Sequence, residues 1–129
     1  MTEAIDTNVL VQFLTHDDAV QWPKAERLLA AGAEIADTVL LETEWVLRAV
    51  YELSPHDIGR AFESVLLMKT ITVHDRQKIA EALRLYRSGL DFADSLHTAT
   101  TASASLRTFD RRFVKQAKKA KSRVSVEGV

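Results

Sequence analysis

The 129-residue chain has no cysteine, which excludes disulfides, thiolate zinc sites and cysteine nucleophiles together. Any chemistry it performs must come from carboxylates, imidazoles, hydroxyls or a bound ion. Glycine and proline are scarce, at four and two, so long structureless segments are not expected. No apolar run approaches the roughly 18 residues of a membrane span. The first 14 residues carry Glu3 and Asp6 where a leader would be basic, so no signal peptide is expected and the chain reads as cytoplasmic. What the chain does have is 47% apolar residues, enough for a core at a length that suggests one domain.

Its net charge of −1 conceals an asymmetry. Between Arg107 and Arg123 there are eight basic residues against one acid, Asp110, while residues 1–106 hold nine basic and sixteen acidic residues. A basic stripe beside an acidic body points to a polyanionic partner, against the plainer alternative of a solvated helix face.

Short apolar stretches alternate with longer helical ones. Glu3 to Ile5 is a strand candidate, and Asp6-Thr7-Asn8 follows it and opens an apolar run. Ala19, Trp22, Ala25, Leu28 and Leu29 keep helical spacing and predict a helix from Asp18 to Ala31, stopped by Gly32. Glu34 to Ala36 reads as a second strand. Asp37 or Thr38 is expected to cap a helix reaching about Tyr51. Ser54-Pro55-His56-Asp57 starts the next helix, which runs to about Lys69. Thr70 to Val73 is β-branched throughout and reads as a strand. Asp75 opens a helix ending near Ser88-Gly89, and Asp91 to Ser103 forms another. Leu106 to Thr108 is a strand, Arg111 to Lys121 a basic helix, and Arg123 to Val126 a last strand. Helices between short strands imply an α/β fold with a parallel sheet covered on both faces.

In such a sheet, ligands bind beyond the carboxyl ends of the strands. Asp6 and Asp110 each follow a strand directly. Glu42 lies about one turn into the helix after the second strand, and Asp91 and Asp94 share a face of one helix. Acids from distant parts of the chain are therefore expected at one sheet edge. Two carboxylates about 4 Å apart repel by roughly 4 kcal/mol at an effective dielectric near 20, so the group requires a cation. Mg²⁺ and Mn²⁺ prefer such oxygen donors and support phosphodiester hydrolysis.

These segments resemble a known family. Asp6-Thr7-Asn8-Val9-Leu10 is similar to the opening motif of PIN-domain nucleases. Residues 39–47, reading Val-Leu-Leu-Glu-Thr-Glu-Trp-Val-Leu, resemble the helix carrying their second acid. Asp91-Phe92-Ala93-Asp94-Ser95-Leu96-His97 and Thr108-Phe109-Asp110-Arg111 resemble the third and fourth blocks. Four motifs in order, over essentially the whole chain, are similar to the VapC-type ribonuclease toxins of toxin–antitoxin pairs. The resemblance implies a three-layer α/β/α sandwich with about five parallel strands. It implies RNA cleavage dependent on Mg²⁺ or Mn²⁺, with Asp6, Glu42, Asp94 and Asp110 as catalytic and metal-holding residues. Thr7, Asn8 and Thr108 would orient them, with Asp91 in support. A homodimer and a cognate VapB-like antitoxin are the implied partners, besides RNA. The connection from Thr100 to Leu106 is shorter than the family's usual one, which bears on the placement of Asp110.

Each residue also has a plainer reading. Asp6 could be a turn residue or helix cap, and Asp91 is expected to cap its own helix. Glu42 and Glu44, two apart on a helix, cannot face the same way. Glu42 is assigned to the site, Glu44 to solvent or a partner, and Leu41 and Trp45 to the core. Trp22 reads as core or interface. His16, His56 and His74 read as surface, and His97 as partly buried and hydrogen-bonded. Arg107, Arg111 and Arg112 flank Asp110 and could hold RNA phosphates or only solvent and helix carbonyls. The alternatives in function are a processing or DNA nuclease of the same fold, or a non-catalytic acid-pocket regulatory domain. A phosphoacceptor receiver domain fits poorly, because Asp6 lacks the paired acid such domains carry after the first strand.

Overall fold

The computed structural model describes residues 2–129 and has, among them, seven helices and five strands. Every strand pairing is parallel. The chain packs as two compact units, one ending at His74 and the other running from Asp75 to Val129.

The first unit holds β1 (Glu3–Ala4), α1 (Thr7–Thr15), α2 (Gln21–Ala31), β2 (Ala33–Glu34), α3 (Asp37–Ala49), α4 (Pro55–Leu66) and β3 (Ile71–Thr72). Its sheet has the order β1-β2-β3, with Glu3 paired to Ala33 and Ala33 to Ile71. Helix α1 was not marked by periodicity, since Val9 to Leu14 is nearly all apolar. Its start is set by Asp6, whose Oδ1 accepts the Val9 N–H at 3.2 Å. Helix α2 begins later than Asp18, because the Asp18 carboxylate ties down the Val20 and Gln21 N–H groups in a turn before it. Those two bonds hold the Asp18 carboxyl below its usual range. The stop at Gly32 is as expected, at a φ of 123° that favours glycine.

Helix α3 differs from expectation at its start. The cap position is Ala36, with no side-chain cap bond, and Asp37 is the first helical residue. The strand β2 ends at Glu34, so the backbone enters the helix earlier than the sequence suggested. Helix α4 follows the sequence reading at its start, with Ser54 Oγ accepting the Asp57 N–H at 3.1 Å and Pro55 opening the helix. Ile58, Phe62 and Val65 form its buried stripe.

The second unit holds α5 (Arg76–Arg87), α6 (Phe92–Thr100), β4 (Ser105–Thr108), α7 (Arg111–Lys119) and β5 (Ser125–Gly128). Strands β4 and β5 pair from Ser105–Ser125 to Thr108–Gly128. Leu85, Leu90, Phe113, Ala117, Ala120 and Val126 make its core, with Leu106 and Val114 packed against them. Helix α6 ends at Thr100, not Ser103, and this supplies the short connection with its turn. Thr100 Oγ1 donates to the Leu96 carbonyl at 2.6 Å and Thr101 Oγ1 to that of His97, so hydroxyls satisfy the helix end. Four residues then suffice to reach β4.

Candidate functional site

In the first unit the parallel, in-register strands bring the carboxyl ends of β1 and β2 side by side. Asp6 follows β1, and α3 follows β2 carrying Glu42. Thr7 links the two elements: its Oγ1 donates to Glu42 Oε1 at 3.3 Å. Both Asp6 and Glu42 are exposed. The Asp6 cap bond engages one carboxylate oxygen, and a carboxylate has about four acceptor positions in all. Capping and ion binding are thus compatible roles for this residue. Asn8 is exposed and hydrogen-bonds neither carboxylate among the described residues.

Glu44 overturns its sequence assignment. It is only 2% exposed, and its carboxylate pairs with Arg48 at 2.9 Å, one helical turn on. Leu40, Thr43 and Leu47 are buried on the same helix, so Glu44 belongs to the packed face and Glu42 to the open one. The i,i+4 spacing of Glu44 and Arg48 permits this pair but does not mark it as buried. Trp45 is the converse correction, being 57% exposed, while Leu41 is half-buried.

In the second unit Asp91 caps α6 through the Ala93 N–H at 3.1 Å, and Asp110 caps α7 through the Phe113 N–H at 3.1 Å. Asp94 lies inside the first turn of α6 and is half-buried. Burial pushes its carboxyl above the usual carboxylate range, the negative charges of Asp91 and Asp110 push the same way, and His97 opposes them. Asp94, Asp91 and Asp110 therefore share one electrostatic neighbourhood. His97 is exposed, not partly buried. Thr108 acts on the backbone: its Oγ1 accepts the Asp110 N–H at 3.0 Å and sets the turn into α7.

The arginines divide. Arg107 donates to the Gly128 carbonyl at 2.9 Å and stands 3.7 Å from Glu127, so part of its role is to tie β4 to β5. Arg111 and Arg112 are exposed at the start of α7, with no ion pair among the described residues. Phe113 and Ala117 are the buried side of that helix, which leaves Lys115, Lys118 and Lys119 outward. A cavity of about 100 Å³ lined by Asp75, Lys78, Glu81, Thr98 and Arg123 includes none of the expected acids.

The donor set consists of carboxylate oxygens with no thiolate, which suits a hard divalent ion. Among the described residues no three His, Asp or Glu side chains are gathered closely enough to hold an ion by themselves. The structure shows Thr7 with Glu42 in one unit, and Asp94 in the field of Asp91 and Asp110 in the other. One residue escaped the sequence reading. Phe109, between Thr108 and Asp110, is 86% exposed. The signal was its place in the turn between β4 and α7, with arginines and no apolar residue two positions away on either side.

The family model for the PIN domain matches residues 4–119. No curated protein is similar enough to the chain to count as a relative.

Proposed function

The chain belongs to the PIN domain family, whose members are generally metal-dependent nucleases, and from that premise we propose that it is an endoribonuclease and the toxin of a toxin–antitoxin pair. The observation that carries the reading is the acid group of the second unit, where Asp94 is raised by burial and two flanking carboxylates while Arg111 and Arg112 open the adjoining helix. Burial and like charge make the ionised form of Asp94 costly, a cost that a bound cation would offset, and the arginines suit a phosphate.

Asp6, Glu42, Asp94 and Asp110 are the residues proposed to hold Mg²⁺ or Mn²⁺. When bound, the ion would lower the pKa of a water and offset charge on the scissile phosphate. The protein's own part is positioning. Thr7 holds the Glu42 carboxylate, the Val9 amide holds that of Asp6, and the Phe113 amide holds that of Asp110. Arg111 and Arg112 bind the RNA backbone, with Arg107 beside them. The reading includes a homodimer and a VapB-like antitoxin that restrains the enzyme.

The test compares single-stranded RNA and DNA as substrates with Mg²⁺, with Mn²⁺ and with chelator. RNA cleavage that needs the ion is the expected result. Asp6→Asn should cut turnover by about a hundredfold or more, with the fold kept, because Asn is as good a helix cap as Asp. Cleavage of DNA alone would transfer the protein to the DNA nucleases. No cleavage under any condition would leave an acid-pocket binding domain.

A further inference from the structure

Phe109 is the most exposed large apolar side chain among the described residues, at 86%. Its surroundings are rigid on both sides. Thr108 is paired in the β4–β5 ladder, and its carbonyl accepts the Val129 N–H at 3.1 Å. Asp110 is fixed by the Thr108 hydroxyl and by its cap bond to Phe113. A fixed backbone thus holds a phenyl ring out in water, a cost the fold gains nothing from. The chain neighbours are cationic: Arg107 lies two residues before it in β4, and Arg111 and Arg112 follow it at the head of a helix whose outer side is lysine-rich.

We propose that Phe109 is a stacking platform for an unpaired base of single-stranded RNA whose adjoining phosphates lie on Arg111 and Arg112. The inference rests on the ribonuclease reading of this site and adds to it a residue that grips a base of the substrate. An aromatic face accepts any base, and surrounding cations follow the backbone, which is how single strands are held without sequence readout. Bases inside a duplex are already stacked on each other and offer no face to the ring. An apolar protein helix would leave several cations unmatched, so the charge favours nucleic acid over a protein partner.

The experiment measures binding without cleavage. A fluorescent oligoadenylate of about twenty nucleotides is titrated with the whole chain in chelator, alone and annealed to oligouridylate. Phe109→Ala should weaken binding of the single strand about tenfold and leave duplex binding unchanged. Phe109→Trp should restore it, and Phe109→Leu, apolar but without a π face, should not. Thermal unfolding should be the same in all variants, since the ring packs against little. With the divalent ion restored, Phe109→Ala should raise KM and spare kcat. Equal affinity of wild type and Phe109→Ala, or full rescue by Phe109→Leu, overturns the platform. So does a Phe109→Ala variant that changes only the sedimenting mass, which would assign the ring to a contact between copies. A protein that binds through Phe109 yet never cleaves keeps the platform and loses the nuclease reading. One that cleaves normally without Phe109 does the reverse.

Discussion

At the scale of the residue, the decisive contrast is between Glu42 and Glu44. Sequence spacing shows that they face apart, but it cannot show which one enters the core. The motif resemblance selects Glu42, and that residue stands exposed beside Thr7. Nothing in the spacing marked Glu44 as buried, because a buried acid is unusual and is tolerated where a partner such as Arg48 pairs with it. Asp94 is a different kind of acid, stressed where Glu44 is paired. Its folded carboxyl titrates above the unfolded value, so in the window between the two the folded chain keeps a proton that the unfolded chain has lost. Stability therefore falls as pH rises through that window, and at neutral pH the charged form is a liability in the absence of metal. Asp94→Asn should then be inactive but more stable than wild type in chelator at neutral pH. The gain should shrink as pH is lowered below the ordinary carboxylate range. Chemical denaturation at several pH values measures this, and a variant less stable than wild type at neutral pH would show that burial and like charge do not strain Asp94.

At the scale of the element, most helix starts were legible because a cap bond closes within three residues. Ser54, Asp75, Asp91 and Asp110 all cap where the sequence places a helix, and each bonds an amide two or three positions on. Helix α1 was not legible, since a continuous apolar run has no period and short buried helices resemble buried strands in it. Long-range ties were also hidden. Arg84 on α5 donates to the carbonyls of Ala120 and Lys121, at 2.8 and 3.3 Å, and so closes the end of α7 from 36 residues away. Glu81 holds the guanidinium in place at 2.7 Å. The Arg84 bond depresses the Glu81 carboxyl, and Arg84 itself is raised in turn. Because the folded Glu81 value lies below the unfolded one, its contribution is present above the ordinary glutamate range and is lost as pH falls through the folded value. Arg84→Met should cost about 2 kcal/mol, the worth of charged hydrogen bonds to carbonyls. Glu81→Gln should cost less, and its deficit should vanish in acid. Urea unfolding at neutral and acidic pH distinguishes these outcomes, and an Arg84→Met variant as stable as wild type would remove the clamp from consideration.

At the scale of the whole molecule, the sequence asymmetry becomes a division of labour. The acidic first unit carries Asp6 and Glu42, and the second carries Asp94, Asp110 and the basic helix α7. The first unit also has an apolar surface that the fold leaves uncovered. On α3, Leu40 and Leu47 are buried, but Trp45, and Val50 just past the helix end, are 57% and 63% exposed. Leu41 and Val46 are half-buried beside them. Glu42 lies one turn before Trp45 and Val46, so whatever covers this stripe comes up against a proposed metal ligand. The proposed homodimer places a second copy there, with Trp45 as the anchor that interfaces favour. Stable interfaces bury about 1,200–2,000 Å² in total, so Trp45 would be the centre of a larger patch and its loss should be felt strongly. The proposed antitoxin would run a segment along the same helix and set an arginine against Glu42, in competition with the metal. Sedimentation at micromolar concentration is therefore expected to give twice the 14.4 kDa chain mass for the wild type, and Trp45→Glu a folded species at 14.4 kDa. A wild type that sediments at 14.4 kDa would rule out the dimer. For the inhibitor, the product of the adjacent reading frame should co-purify with the wild type and be lost with Glu42→Ala if its arginine docks there. Retention by Glu42→Ala together with loss by Trp45→Glu would place the inhibitor on the apolar stripe alone and remove competition with the metal as its means of control.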